Sequence, residues 1–129
     1  MASTPTRLHA GLAALAAADF YAGKSIDLVI GAPPGGGYDI YARVVGRHLG
    51  RHIPGQPAIV PKNMPGAASG RAAGYISAIA PKDGTAIAAV MPGAVMGPLL
   101  DEKAEALFDP TKVQSVSYTH LTLPTTSRV

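Results

Sequence analysis

The stretch IDLVIGAPPGGGYDIYAR, Ile26 to Arg43, constrains this chain more than any other. An apolar run leads into Pro33-Pro34-Gly35-Gly36-Gly37, and a helical pattern begins at once. A strand, a glycine-rich turn and a helix in immediate succession aim backbone N–H groups, rather than side chains, at one point in space. Such a point attracts an anion. The other loops must say which anion, and whether chemistry follows binding.

The same unit recurs. Ser25–Ile30 is short and apolar enough to be a strand buried on both faces. A helix is predicted over about Tyr38 to Leu49, with Ile40, Tyr41, Val44, Val45 and Leu49 as its inner stripe. Arg43, Arg47 and Arg51 would form the wet face. Gly50 is the expected C-terminal cap, and Pro54-Gly55 turns the chain. Ala58 to Val60 reads as a second strand ending at Pro61. A helix follows from about Ser69 to Ala80, with Ala72, Tyr75, Ile76 and Ile79 inward. Pro81 to Gly84 is a turn, Thr85 to Val90 a third strand, and Ala94 to Leu100 a short helix. Three β–loop–α repeats predict an α/β fold with a parallel sheet and right-handed crossovers. The loops at 32–38, 61–69 and 91–93 then gather at the strands' carboxyl ends, where such sheets bind ligands.

These loops are poor in catalytic groups. They hold no paired carboxylates, and no Ser or Thr in them lies near a His in sequence. Asp39 falls in the first turn of a helix, where a carboxylate meets the helix dipole favourably. Ser69 is placed to cap the second helix. Asn63 could donate its amide to a ligand or satisfy the turn. Three successive glycines permit left-handed backbone and close approach of a ligand. A carboxylate or a phosphate would fit the donors. The dinucleotide pattern G-x-G-x-x-G fails because Ile40 follows where the third glycine is needed, and no Gly-Lys-Ser/Thr completes a P-loop.

Composition narrows the partners. The net charge is +3, but all eight acids lie between Asp19 and Asp109 and face nine Lys or Arg between Asp19 and Gln114. The central region is thus nearly neutral, which gives no argument for nucleic acid. With no Cys there is no disulfide framework or thiolate metal site. His48 and His52 stand four apart, and with no third ligand nearby they read as solvated residues at a helix end.

The ends read differently from the middle. In residues 1–18, Arg7 precedes an Ala/Leu run that closes on Ala16-Ala17-Ala18, the layout of a secretory signal peptide remnant. The run is too short to span a membrane. From Ser115 the chain reads SVSYTHLTLPTTSRV, which resembles the conceptual translation of a transposon-type sequencing adapter. The expected organisation is therefore a leader remnant over 1–18, a partial α/β solute-binding domain over 19–114 and a non-native tail over 115–129, with the natural chain continuing past Gln114.

FYAGKSIDLVIGAPPGGGYDIYAR, IPGQPAIVPKNMPGAAS, PKDGTAIAAV and GPLL…FDPTKVQ together resemble the substrate-binding receptors of tripartite tricarboxylate transporters, the Bug-type extracytoplasmic solute receptors. The similarity runs from about Phe20 to Gln114. It implies the first domain of a type II periplasmic binding protein fold, in which two α/β domains close over a small organic acid. It implies a first ligand loop of Pro34, Gly35, Gly36, Gly37, Tyr38 and Asp39, and a second of Asn63, Pro65, Gly66, Ala67, Ala68 and Ser69. In that family backbone amides and bridging waters hold a ligand carboxylate there. The implied protein is periplasmic, has no cofactor or enzymatic activity, and delivers its ligand to membrane components of a transporter. Ala68 and Gly70 depart from the pattern, where a Gly and a larger apolar residue are expected. Gly70 should weaken the start of the second helix by up to about 1 kcal/mol. Family members are much longer, so a chain of this length is expected to bind poorly alone. The alternative reading is an α/β enzyme fragment whose glycine loop binds a phosphate or nucleotide.

Overall fold

The computed structural model describes Leu15, Ala16, residues 18–100 and Asp109. Three parallel strands, β1 (Ser25–Ile30), β2 (Ala58–Asn63) and β3 (Ala86–Ala89), form a sheet of order β2-β1-β3. Helices α1 (Gly37–Leu49), α2 (Gly70–Ala78) and α3 (Pro92–Leu100) follow the strands in turn. The fold is the α/β class with β–loop–α repeats that the sequence predicts.

β1 lies in the middle because it alone buries large apolar side chains on both faces. Ile26, Leu28, Val29 and Ile30 are all buried. Its partners are in simple register, Ser25 opposite Ala58 through Ile30 opposite Asn63, and Asp27 opposite Ala86 through Ile30 opposite Ala89. Leu28, Ile30, Ala32 and Ala42 make the core, with Ile59, Ile87, Ala89 and Met91 packed against them. This is the α1 side of the sheet. The chain steps from β1 to β2 in one direction and back past β1 to β3 in the other, so right-handed crossovers put α2 on the opposite face.

β2 does not end at Pro61 as expected but runs on to Asn63. The N–H groups of Ala58 and Met64 point to β1, bonding Lys24 O and Ile30 O. Residues of the other parity, Pro61 among them, therefore turn their nitrogens outward. A proline on the free side of an edge strand breaks no ladder bond and blocks further pairing.

The orientation of α1 is the largest departure from expectation. Asp39, Ala42 and Gly46 face the sheet, whereas Ile40, Tyr41, Val44 and Val45 are 45–72% exposed. Two causes can be named. Gly46 lets the helix settle close, since a Cβ there would lie 3.0 Å from Leu28 Cδ2 and 3.3 Å from Ile59 Cγ2. The polar side chains of Asp39 and Arg43 are bonded inward, which fixes the rotation of the helix about its axis.

Smaller corrections follow the same logic of close contacts. Gly50 is not a left-handed cap; it is right-handed, and a single 3₁₀ turn (Gly50–His52) extends α1. A glycine is needed there because a Cβ would stand 2.5 Å from Pro57 O. Ile79 lies just past α2 and is 74% exposed, while Ala72 and Ala73 supply the inward face. α3 starts two residues early, at Pro92, a position where proline's fixed φ and missing N–H suit a helix start. At the other end of the sheet, a helical segment ending at Tyr21 packs on Gly55, and the Tyr21 hydroxyl donates to Gly84 O. Apart from Leu15, Ala16 and Ala18, the expected leader lies outside the described residues, as does the whole expected tail from Ser115. Among the described residues no helix is long and apolar enough to cross a membrane.

Candidate functional site

Parallel strands bring the three glycine-, proline- and alanine-rich loops to one edge of the sheet. The structure then ties them together through side chains. Asp39, in the first turn of α1 and 3% exposed, is the hub. Its carboxylate accepts the Gly35 N–H at 2.9 Å, the Arg43 Nε–H at 3.0 Å and the Asn63 amide at 2.7 Å. Asn63 donates also to Ala32 O at 2.9 Å, and its own carbonyl oxygen accepts from Arg43 Nη2 at 2.7 Å. The β1 loop, α1 and the end of β2 are thereby locked in one network. The Asn63 amide spends both N–H groups inside the protein, so of its two roles the turn-satisfying one is observed.

The electrostatics follow from those bonds. The Gly35 N–H, then the Asn63 amide, then the Arg43 guanidinium hold the Asp39 pKa down to about 2 from 3.8. The helix dipole accounts for only part of this residue's placement. Asp39 and Arg43 together are a neutral unit.

Ser69 has a different role from the expected cap. It stands at the start of α2 with left-handed backbone (φ 75°), and its side chain makes no capping bond. Its hydroxyl instead donates to Gly31 O at 2.8 Å and accepts the Met91 N–H at 3.1 Å. One buried hydroxyl thus bridges the ends of β1 and β3, where the strand order reverses direction. The approach is so close that a Cβ on Gly31 would lie 2.6 Å from Ser69 Cβ and Oγ.

The remaining residues of the two loops are open. Pro34, Gly35, Gly37 and Tyr38 of the first, and Pro65, Gly66, Ala67 and Ala68 of the second, are exposed. Of the three successive glycines, only Gly35 has positive φ, at 83°. Gly36 is extended and Gly37 opens the helix, and a Cβ on Gly37 would meet nothing within 4 Å. In the second loop Gly66 adopts φ 128°, and Ala67 and Ala68 both stand at φ 47°. Left-handed backbone costs an L-residue about 1–2 kcal/mol, so the glycine expected at position 68 has a physical reason.

The first intrahelical bond of α1 is Ile40 N–H to Gly36 O. The N–H groups of Gly37 and Tyr38 precede it and have no intrahelical acceptor. Ala67 and Ala68 lie in the left-handed turn that precedes α2. Reasoning on the sequence missed four participants: Arg43, assigned to the wet face, and the backbone of Gly31, Ala32 and Met91. The i, i+4 spacing of Asp39 and Arg43 could have flagged the pair. Nothing in the sequence could show Arg43 reaching Asn63, twenty residues on.

His48 and His52 are both exposed, and His48 Nδ1 is bonded to Arg51. Among the described residues no three His, Cys, Asp or Glu gather as a metal site would require. No protein-family model matches the chain, and no curated protein matches it as a relative.

Proposed function

We propose that this chain supplies one wall of an extracytoplasmic receptor that captures a small carboxylate for a tripartite tricarboxylate transporter. The wall belongs to the first domain of a type II periplasmic binding protein fold. A carboxylate would sit at the open edge between residues 34–39 and 63–69, held by backbone N–H groups of Gly37, Tyr38, Ala67 and Ala68. Membrane components of the transporter would receive the loaded receptor.

The observation that carries this reading is the division of labour at the sheet edge. The polar side chains of the network bond inside the protein: Asp39, Arg43 and Asn63 with one another, and Ser69 with Gly31 and Met91. Ser69 is 1% exposed and its hydroxyl is bonded to the Gly31 carbonyl and the Met91 N–H, with no base beside it among the described residues, which disfavours its use as a nucleophile. Apart from Tyr38, 39% exposed, what faces solvent along residues 34–38 and 65–68 is backbone and small residues, an arrangement for binding rather than for covalent chemistry. Gly37 adds support. Neither its backbone angle nor its surroundings demand glycine, so close approach of a ligand is a reason for its bare Cα.

The test is an amide NMR titration of the full chain with succinate and, separately, with ATP. Millimolar succinate should shift Gly37, Tyr38, Ala67 and Ala68. Gly37→Ala should weaken that binding while leaving the fold at least as stable, since alanine favours a helix by up to about 1 kcal/mol. Shifts produced by ATP but by no dicarboxylate would refute the receptor reading.

A further inference from the structure

A second recess lies away from the loop edge, where α1 crosses the β2 edge of the sheet. It is a cavity of about 110 Å³ lined by Leu28, Arg43, Gly46, Arg47, Ile59 and Pro61. Leu28, Ile59 and Pro61 give it an apolar part, and Arg43 and Arg47, one helical turn apart on α1, give it two cationic residues. We propose that this recess binds a short-chain monocarboxylate, its aliphatic tail on the apolar part and its carboxylate on the two arginines.

Three observations converge on that ligand. The first is the supply of unused donors. Arginine carries five N–H groups. Arg43 commits Nε and one Nη2 hydrogen to Asp39 and Asn63, and the rest remain. Arg47 is exposed and has no acceptor among the described residues. The second is charge. Arg43 is neutralised by Asp39, so Arg47 is the one uncompensated charge in the lining, and it calls for a single negative charge. Guanidinium groups bind carboxylates in a bidentate fashion that neutral ligands cannot match. The third is size. A cavity of 150 Å³ lined by apolar side chains holds benzene. The smaller volume here suits a chain of a few carbons. Gly46 keeps the recess open, because a Cβ there would press on both Leu28 and Ile59.

This site shares only Arg43 with the network of the loop edge, and its reporters differ from those of the proposed receptor wall. The experiment is an amide NMR titration of the full chain with sodium butyrate at constant ionic strength. Saturable shifts are expected at Gly46, Arg47 and Ile59. Arg47→Gln should weaken binding by about tenfold or more, the usual worth of a charged hydrogen-bonding partner. Gly46→Ala should weaken it too, by narrowing the recess with both arginines kept. Arg51→Gln, one turn further on and bonded to His48, should bind butyrate as the parent does. Equal shifts with butyramide would reduce the site to an apolar dent, and equal shifts with inorganic phosphate would reduce it to an unspecific cationic patch. Either result overturns the proposal, as does an absence of shifts.

Discussion

Replacing Ser69 by Ala tests whether one hydroxyl holds the sheet edge together. The substitution keeps the Cβ and removes only the oxygen that joins Gly31 to Met91. The Gly31 carbonyl is buried, and it loses a 2.8 Å bond; the half-buried Met91 N–H loses one of 3.1 Å. An unsatisfied buried polar group costs about 1–3 kcal/mol. With Met91 nearer water and at the low end, the loss should be about 2–4 kcal/mol. That is a large share of the total stability of about 5–15 kcal/mol usual for a domain. Urea unfolding of the full chain reads it as a lower midpoint, and hydrogen exchange at the Met91 amide should quicken. A capping role predicts something else. Loss of a serine cap costs about 0.5–2 kcal/mol, and aspartate caps as well as serine does. Ser69→Asp separates the two: a buried carboxylate cannot donate to Gly31 O, so it should be worse than alanine. If Ser69→Asp is as stable as the parent, or Ser69→Ala loses under about 0.5 kcal/mol, the bridge is not what holds the loops.

Gly31→Ala should cost about 1–3 kcal/mol by overpacking, because the new Cβ would fall 2.6 Å from Ser69; differential scanning calorimetry checks this. Ala68→Gly should stabilise by up to about 1 kcal/mol. The relief of left-handed strain (φ 47°, ψ 46°) outweighs the added freedom of the unfolded chain, and a thermal midpoint that falls would contradict it. For Asp39 the folded pKa is depressed, so the unfolded chain holds its proton more tightly. Its contribution to stability is complete above pH 3.8 and is lost as the pH falls toward about 2. Carboxyl-carbon NMR should place its titration midpoint near 2, and a midpoint near 3.8 would mean that the network does not hold in solution.

Much of the architecture was legible because it is local. The apolar run of β1 has one comfortable place, the middle of a sheet. The Pro-Pro-Gly-Gly-Gly turn has one function, to bring the chain round into a helix. The strand–loop–helix order then implies parallel strands and loops at a common edge. What failed was rotation and partnership. Ile40, Tyr41, Val44 and Val45 have the spacing of an inner stripe, yet the small residues Ala42 and Gly46 face the sheet. A periodicity can name a face of a helix, but two faces competed here, and close fit to Leu28 and Ile59 chose between them. Pro61 misled in a similar way, since a proline ends a strand only where its nitrogen must pair.

The amino-acid sequence by itself determined the α/β class, the three repeats and the two loops that could offer backbone donors. Those properties depend on neighbours within a few residues, through hydrophobic periodicity and glycine's backbone freedom. Only the tertiary structure decided what the polar side chains of those loops do. Asp39 meets Asn63 across twenty-four residues, and Ser69 reaches Gly31 across thirty-eight. Such bonds exist because a parallel sheet aligns the ends of strands far apart in the chain, and burial then requires each polar group to find a partner there.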